Sequence, residues 1–303
     1  MSDALNTGCF LKQLWNEPVL GVRPLHPGYE DHASEVWQVT TSSGAFVLRR
    51  SLVAGIPEVD FWQGAHHLCG VDASTLQDLR QVLTLLSGIQ GVQVPRVRGE
   101  VEVEGQVYLV LEKLDGNTIC SFEDQPETVM EQLGEMMARI HAQTFTWCGH
   151  PTGRVQKPLE DFHAALLDTM QMLVDRFYPA AEFRAALEHA RAQLEDVPVT
   201  EASLVMLDQD PSQYLHHEGE LSGLVDVEAY VIAPAALDLI GLEYVLDRKA
   251  ARAVKQGYCR IRPFPDLSRV RSPYRLFCRL LSIQGKVPLE DWMNHPAFLD
   301  GLD

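Results

Sequence analysis

The sequence lacks several features that would assign it to a class at once. Its six cysteines are scattered without any Cys-x-x-Cys pair, so the spacing typical of zinc or redox sites is missing. No stretch approaches the roughly 18 consecutive apolar residues of a membrane span. The first residues, MSDALNTGCFLKQLW, have neither the basic start nor the apolar core of a secretory signal. We therefore expect a cytoplasmic protein with reduced thiols.

Positive charge is also scarce. Lys and Arg number 25 against 42 Asp and Glu, which leaves a net charge of −17. A surface of this sign disfavours nucleic-acid binding and attachment to anionic membranes. It would attract a cationic small molecule, although solubility alone also explains an acidic composition. The expected partner is thus a small-molecule substrate, with no nucleic acid and no membrane.

The common nucleotide and hydrolase motifs are missing too. The sequence contains no Walker A, Gly-x-Gly-x-x-Gly or Gly-x-Ser-x-Gly pattern, so no rival site of these kinds is indicated. Two adjacent histidine pairs, His66-His67 and His216-His217, suggest metal binding at first sight. Adjacent side chains on a strand or helix point apart, and no carboxylate or cysteine framework accompanies them. Surface or turn positions are the simpler interpretation.

The first third of the sequence is rich in patterns that predict β-strands. Residues 34–50 predict a hairpin with its turn at Ser42-Ser43-Gly44, and residues 96–103 and 106–111 predict a second strand pair. Between them, residues 75–87 carry leucines at helical spacing. These patterns favour a small α+β lobe built on an antiparallel sheet.

The rest of the chain is mainly helical in pattern. Residues 125–144 predict an amphipathic helix. Residues 159–195 predict one or two helices with a break near Tyr178-Pro179, and residues 235–256 and 272–285 are again helical. We therefore expect an α+β, two-lobed fold. Residues 1–113 would form the N-lobe and residues 114–303 the C-lobe, with a ligand cleft between them.

The most informative segment spans residues 205–230. Asp208 and Asp226 lie 18 residues apart, and each follows an apolar run. A hairpin-like unit of this kind would present both carboxylates on one side of a cleft. Two such carboxylates can bind Mg²⁺ and accept a proton from an alcohol, as phosphoryl transfer from ATP requires. The alternative for Asp208 is a turn residue that caps its own backbone.

This segment resembles the aminoglycoside phosphotransferase-like kinases. Their pattern His-Gly-Asp-x-x-Pro-x-Asn, followed by an aspartate about 18 residues later, lies over residues 206–213 with Pro211 in place. The resemblance implies a protein kinase-like fold, ATP and Mg²⁺ as cofactors, and a hydroxyl of a small molecule as acceptor. It implies that Asp208 is the catalytic base and Asp226 the main Mg²⁺ ligand. Gln213 would stand in for the metal-binding asparagine.

Further elements of that family follow in the right order over residues 20–245. Arg49 ends a strand where the family has a phosphate-binding lysine, and Gln81 lies where a helix carries that lysine's glutamate partner. Arginine can hold phosphate bidentately, and a glutamine can hydrogen-bond an arginine. The simpler interpretation of Gln81 is an exposed helix residue.

Three more segments resemble elements of the family. Glu112, Lys113 and Leu114 lie in the segment that resembles the hinge, whose backbone would hold adenine. Residues 133–141 resemble a helix that ends in His141, which we interpret as structural. Residues 234–239 resemble a Pro-x-x-Asp-Leu element.

Several departures from the pattern support a second hypothesis, a non-catalytic relative that binds nucleotide or a metabolite. Met206 and Leu207 replace the histidine and glycine before Asp208, and the loop at residues 27–34 carries two acids and a single glycine. Asp210 replaces another histidine, and a turn cap is its simpler role. Glu228 has two possible roles, support of the metal site or a solvent-facing position.

Overall fold

The N-terminal part of the protein contains a five-stranded antiparallel sheet. The structure is a computed structural model that describes residues 15, 17–25, 33–103 and 105–300. Its first strands are β1 (Val19–Leu25), β2 (Ser34–Thr41), β3 (Gly44–Ser51), β4 (Val97–Val103) and β5 (Gln106–Glu112). They are hydrogen-bonded in the order β1-β2-β3-β5-β4, with every neighbour antiparallel. The two predicted strand pairs are confirmed.

The alternation of side chains across β2 and β3 explains how this sheet presents a charged residue to the rest of the molecule. Trp37, Val39 and Leu48 are buried in a small apolar cluster on one face of the sheet. Because neighbours along a strand point to opposite faces, Arg49 leaves β3 on the other face, where it is also buried.

Two helices follow β3, and one of them was not expected. Helix α1 spans Asp60–Cys69, and α2 spans Leu76–Ser87 as predicted. Helix α1 packs into the C-terminal part of the chain, since a methyl group added at Gly64 would collide with Leu281 and meet Leu173 at 3.0 Å. Residues on both sides of position 113 therefore share one apolar core. The division into lobes of residues 1–113 and 114–303 stays a prediction.

Helices dominate the remainder of the chain. They are α3 (Glu127–His141), α4 (Phe162–Phe177), α5 (Ala181–Leu194), α6 (Ala235–Leu242), α7 (Arg248–Cys259), α8 (Arg271–Leu280) and α9 (Leu289–Met293). The predicted break near Tyr178 separates α4 from α5. The predicted helix over residues 235–256 is instead two helices, because a short 3-10 turn follows α6 and Asp247 then caps α7 by accepting a hydrogen bond from Ala250 N at 2.7 Å.

Short strands in this part bring the two aspartates of the central segment together. Strand β10 (Ala202–Met206) pairs antiparallel with β13 (Tyr230–Ala233), and Met206 lies opposite Tyr230. Asp208 follows the end of β10 and Asp226 precedes the start of β13, so both lie at the same end of this pair. The remaining strands are β6 (Asn117–Thr118), β7 (Thr144–Phe145), β8 (Trp147–Gly149), β9 (Gln156–Pro158), β11 (Tyr214–His217) and β12 (Glu220–Leu224).

The architecture confirms the expected fold class. An antiparallel sheet stands at the N-terminal side, and a mainly helical part with small sheets in the orders β7-β10-β13-β8-β9 and β12-β11-β6 stands at the C-terminal side. Within the part of the chain that the structure describes, no helix combines the length and apolar content of a membrane span.

Candidate active site

Asp208 lies two residues beyond a strand whose five residues are all buried. The apolar run from Leu204 to Leu207 is pulled into the core, and the carboxyl group is carried with it into largely buried surroundings. Burial, followed by the negative charges of Asp226 and Asp210, raises the pKa of Asp208 from its usual 3.8 to about 7. A carboxyl group with such a pKa exchanges protons readily at neutral pH, which is the property of a general base.

Asp226 has an unusual backbone conformation. Its φ of +61° lies in the left-handed region, which aspartate adopts more easily than most residues but which still stores strain. The side chain is 42% exposed, so burial of the side chain does not explain the conformation. The preceding residue is tied down, since Val225 N donates to the carbonyl oxygen of Gln213 at 2.7 Å. A strained and accessible carboxylate indicates a functional position.

Arg49 connects the N-terminal sheet to the segment that holds Asp226. Its Nη1 donates to Asp226 Oδ1 at 2.6 Å. Its Nη2 donates to Ser34 Oγ at 3.1 Å and also to Glu228 Oε1. The guanidinium group is buried, and its acidic partners lie 177 and 179 residues away in sequence. Of the two roles considered for Glu228, the solvent-facing one is therefore excluded.

The two carboxyl groups beside Arg49 differ in protonation. Desolvation works to raise the pKa of Asp226, but the charge of Arg49 together with hydrogen bonds from Glu228 and Arg49 outweighs it and lowers that pKa below its usual range. Desolvation raises the pKa of Glu228 to about 8 against the pull of Arg49, and the charge of Asp226 adds to the rise. The two side chains also share a hydrogen bond. The pair thus holds one negative charge and one proton next to a single guanidinium.

The donors at this site fit a divalent cation. Asp226 and the amide of Gln213 offer the hard oxygen ligands that Mg²⁺ prefers, and Mg²⁺ commonly binds through one or two carboxylates together with substrate phosphates and water. The pKa values of Asp208 and Glu228 are raised first by burial and then by neighbouring carboxylates, and a cation bound beside them would favour their ionised forms. Within the described ranges, no group of three or more His, Cys, Asp or Glu is arranged to hold a metal, so phosphate oxygens would have to complete the set.

The turn that carries Gln213 is stabilised by Asp210. Asp210 Oδ1 accepts from Ser212 N at 2.8 Å, and Asp210 N donates to Gln213 Oε1 at 3.3 Å, which together form a capping box. Asp210 is therefore a turn cap, as the simpler interpretation predicts. The Gln213 amide oxygen retains a second lone pair for another contact.

A buried network behind Asp208 holds the loop in place. Asp238 on α6 accepts from Met206 N at 3.3 Å and from Gln209 Nε2, and lies 3.0 Å from His141 Nε2. Tyr214 OH donates to Gln209 Oε1 at 3.0 Å. The residues on both sides of Asp208 are thereby anchored to helices α3 and α6. His141 is structural as expected. Gln209 was not identified from the sequence, where a polar residue beside an acidic turn carries no signal of burial.

The segment that resembles a hinge leaves the N-terminal sheet next to β12. Glu112 ends β5, and Lys113 Nζ donates to the carbonyl oxygen of Leu114 at 3.1 Å. Leu114 packs over Gly223, where an added methyl group would collide with it. Because β12 ends at Leu224, the hinge-like segment rests on the strand that leads directly to Asp226.

Gln81 is exposed on α2, as the simpler interpretation predicts. The same helix contributes Leu76, Asp78 and Leu79 to a small cleft that Arg49 and Glu228 also line. Most of the acidic loop at residues 27–34 lies outside the described residues, although Ser34 at its end contacts Arg49.

Comparison with known proteins identifies the family. The model of the phosphotransferase enzyme family matches residues 22–272, which is most of the 303-residue chain, so the protein belongs to this family. Among characterised protein sequences, a direct comparison gives no significant match.

Solved structures show the same fold at low sequence identity. Macrolide 2'-phosphotransferase MphH from Brachybacterium faecium is 15% identical, with coverage of 97% of this chain and 99% of that one and a TM-score of 0.62. A thermostable mutant of aminoglycoside phosphotransferase APH(4)-Ia in ternary complex with ADP and hygromycin B is 17% identical, with coverage of 92% and 89% and a TM-score of 0.61. Aminoglycoside 2'-phosphotransferase-IIIa in its GDP complex is 16% identical, with coverage of 93% and 90% and a TM-score of 0.62.

Proposed function

We propose that this member of the phosphotransferase enzyme family transfers the γ-phosphate of ATP to a hydroxyl group of a small molecule. The observation that carries the proposal is the convergence of Asp208, Asp226 and Arg49 at one end of the β10–β13 pair. The solved relatives support it, since one of them binds ADP together with hygromycin B. The acidic net charge of −17 is compatible with a cationic acceptor.

In this proposal Asp208 is the catalytic base. The acceptor hydroxyl donates its proton to the Asp208 carboxylate while its oxygen attacks the γ-phosphorus. The bond between that phosphorus and the β,γ-bridging oxygen breaks, and ADP leaves. A pKa raised to about 7 makes this carboxyl group a stronger base than an ordinary aspartate while leaving much of it ionised at neutral pH. The Asp238 network keeps the flanking residues in place, so the base is positioned before substrate binds.

The remaining groups would bind the nucleotide. Asp226 and Gln213 would hold Mg²⁺, which neutralises the β- and γ-phosphates when bound. Arg49 would contact the phosphates, and the backbone of residues 112–114 would hold the adenine in the cleft between the lobes. Gln81 has no direct role here, because its side chain is exposed away from Arg49.

One observation favours a second candidate function, nucleotide or metabolite binding without catalysis. Arg49 Nη1 already contacts Asp226 Oδ1 at 2.6 Å, so the guanidinium partly satisfies the carboxylate that a metal would need. A protein in which this contact persisted would bind a ligand but would not support phosphoryl transfer.

The experiment is a comparison of binding and turnover. Thermal unfolding is followed with ATP or GTP, with and without Mg²⁺, because a ligand that binds the folded state raises the apparent stability. Phosphate transfer is then assayed with aminoglycosides, macrolides and small amino alcohols. Asp208→Ala and Asp226→Ala should abolish transfer, and Asp175→Ala, at an exposed position on α4, should not. Binding without transfer supports the second function, and unchanged transfer in both variants contradicts the first.

A further inference from the structure

The two terminal nitrogens of Arg49 are engaged in different ways. Nη2 donates to two partners. They are Ser34 on the neighbouring strand β2 and Glu228, two residues before β13. Nη1 donates to Asp226, the carboxylate proposed to bind the metal. Ser34 and Glu228 are largely buried, whereas the Asp226 side chain is 42% exposed. One edge of the guanidinium is therefore held by the protein, and the other faces the accessible part of the site.

We propose that Glu228 is a positioning residue for Arg49. Together with Ser34 it anchors Nη2, so that Nη1 is presented to the phosphates of the nucleotide once the metal occupies Asp226. This inference rests on the proposed nucleotide-binding function and adds to it the residue that orients the phosphate-binding cation. The acidic partner of that cation is supplied by the segment before β13, not by helix α2.

Helix α2 offers no substitute for Glu228. Gln81 is exposed on its outer side. Asp78 lines the same cleft as Arg49, but its carboxylate pairs with Arg154 and lies 3.6 Å from His150 Nε2. The acid of this helix therefore belongs to a neighbouring cluster, and Asp226 and Glu228, the acidic partners of Arg49 described above, lie on the C-terminal side of the cleft.

The arrangement also accounts for an arginine at this position. A guanidinium is a planar fork whose two terminal nitrogens can contact separate acceptors at the same time, whereas a lysine ammonium is a single point charge. Only the fork can remain anchored through Nη2 while Nη1 changes partner from Asp226 to a phosphate. A lysine ammonium donates up to three hydrogen bonds, but all of them come from one nitrogen, so it cannot hold a partner with one atom while another atom changes partner.

Without Glu228, Arg49 would be drawn towards its other acidic partner. A buried guanidinium needs compensation of its charge, and Asp226 would be the acid that remains beside it. Both phosphate binding and metal binding should then weaken, because the cation and the metal ligand would satisfy each other.

Isothermal titration of the full chain with the non-hydrolysable analogue AMP-PNP and Mg²⁺ tests the inference. Glu228→Ala should weaken binding about 10- to 100-fold, the range expected for the loss of a hydrogen bond made by a charged group, here the Arg49 guanidinium. Glu228→Gln keeps an acceptor oxygen for Nη2 and should recover part of that loss. Glu35→Ala is the matched control, since Glu35 pairs with Arg50, the next residue on the opposite face of the same sheet. Its effect should stay within about twofold, because Glu35 contacts neither Arg49 nor Asp226 in the pair described here.

A reversion towards the family pattern provides a second test. Arg49→Lys should weaken binding, and addition of Gln81→Glu should not restore it, because position 81 is exposed away from the site. Circular dichroism of each variant establishes that it is folded. If Glu228→Ala does not fold, Ser34→Ala replaces it as the test of the Nη2 anchor, with an expected loss of several-fold.

The possible outcomes separate this inference from the function on which it rests. Wild-type protein that binds no AMP-PNP contradicts the proposed function itself. If Glu228→Ala binds AMP-PNP as tightly as wild type, only the positioning role is overturned. The same holds for Ser34→Ala where it replaces Glu228→Ala. Glu228→Gln as weak as Glu228→Ala would also overturn it, since the charge and not the anchor would then be essential. A double variant Arg49→Lys/Gln81→Glu that binds AMP-PNP like wild type would overturn the positioning role as well.

Discussion

Two buried arginine–carboxylate clusters in this protein differ in how their charges are balanced. In the first, one guanidinium, that of Arg49, faces Asp226 and Glu228, and Asp208 lies close enough for Asp226 to raise its pKa. In the second, the fully buried Glu243 is contacted by two guanidinium groups, those of Arg271 and Arg275. The first cluster has an excess of carboxylates, and the second an excess of cations around one carboxylate.

The surroundings of the second cluster explain why it is a structural element. Glu243 Oε1 also accepts from Leu299 N at 3.0 Å, and Arg275 Nη1 donates to the carbonyl oxygen of His295 at 2.6 Å. Arg271 pairs additionally with Asp300. These contacts tie α8 to the end of the described chain. None of Glu243, Arg271 and Arg275 has the left-handed backbone of Asp226. The second cluster therefore stabilises the fold, whereas the strained carboxylate of the first remains accessible to a ligand.

The largest expected effect separates activity from stability at Asp208. Asp208→Asn should lower phosphate transfer by about 10³-fold, within the range for loss of a general base. The same change should leave the free energy of unfolding unchanged or raise it near pH 7.5, because it removes a carboxylate whose ionisation the folded state opposes. Steady-state assays and urea denaturation measure the two effects, and a large loss of stability would contradict the distinction between the clusters.

The opposite pattern is expected at Glu243. Glu243→Ala leaves two buried guanidinium groups without their shared carboxylate and should cost about 3–5 kcal/mol of unfolding free energy. Glu201→Ala removes the 50% exposed partner of Arg262 and should cost less than about 1 kcal/mol. Urea titrations of both variants provide the comparison. A cost at Glu243 no larger than that at Glu201 would show that the second cluster does not stabilise the fold.

A third cluster, around Asp78, should make the stability of the protein depend on pH. Burial, and then the charge of Arg154, lowers the pKa of the fully buried His150 from 6.5 to about 4. The unfolded chain therefore binds this proton at a higher pH than the folded chain, and stability falls as the pH is lowered from about 6.5 to 4. The full loss is about 3 kcal/mol. His150→Asn should flatten this slope in urea titrations at several pH values, whereas His217→Asn, at the exposed end of β11, should leave it in place.

The smallest expected effect concerns the turn that carries Gln213. Asp210→Ala removes the cap on Ser212 N and should cost about 1 kcal/mol of stability. It should also raise the Mg²⁺ concentration needed for nucleotide binding, since the Gln213 amide loses its support. Asp247→Ala removes the cap of α7 and should cost about as much without any change in the Mg²⁺ requirement. Equal Mg²⁺ requirements in the two variants would show that the turn does not support metal binding.

Much of the fold follows from local pattern. The hairpin of β2 and β3, the strand pair of β4 and β5, and the amphipathic helix α3 are confirmed where periodicity predicts them. Helix α1 escaped prediction because three of the four residues in its buried stripe, Gly64, Ala65 and Cys69, are small and give only a weak apolar signal. The reason for that glycine lies in Leu281, more than two hundred residues later, which packs where a side chain would be.

Apolar periodicity and motif spacing are local properties of the chain, and from them the family, the fold class and the pair Asp208 and Asp226 can be predicted. Which groups these aspartates meet depends on the tertiary structure. It brought Arg49 to Asp226 and Glu228, and it buried Gln209 beside Asp238. Such contacts join residues far apart in sequence, and the pKa shifts at the site depend on burial and on neighbouring charges that arise only when the chain is folded.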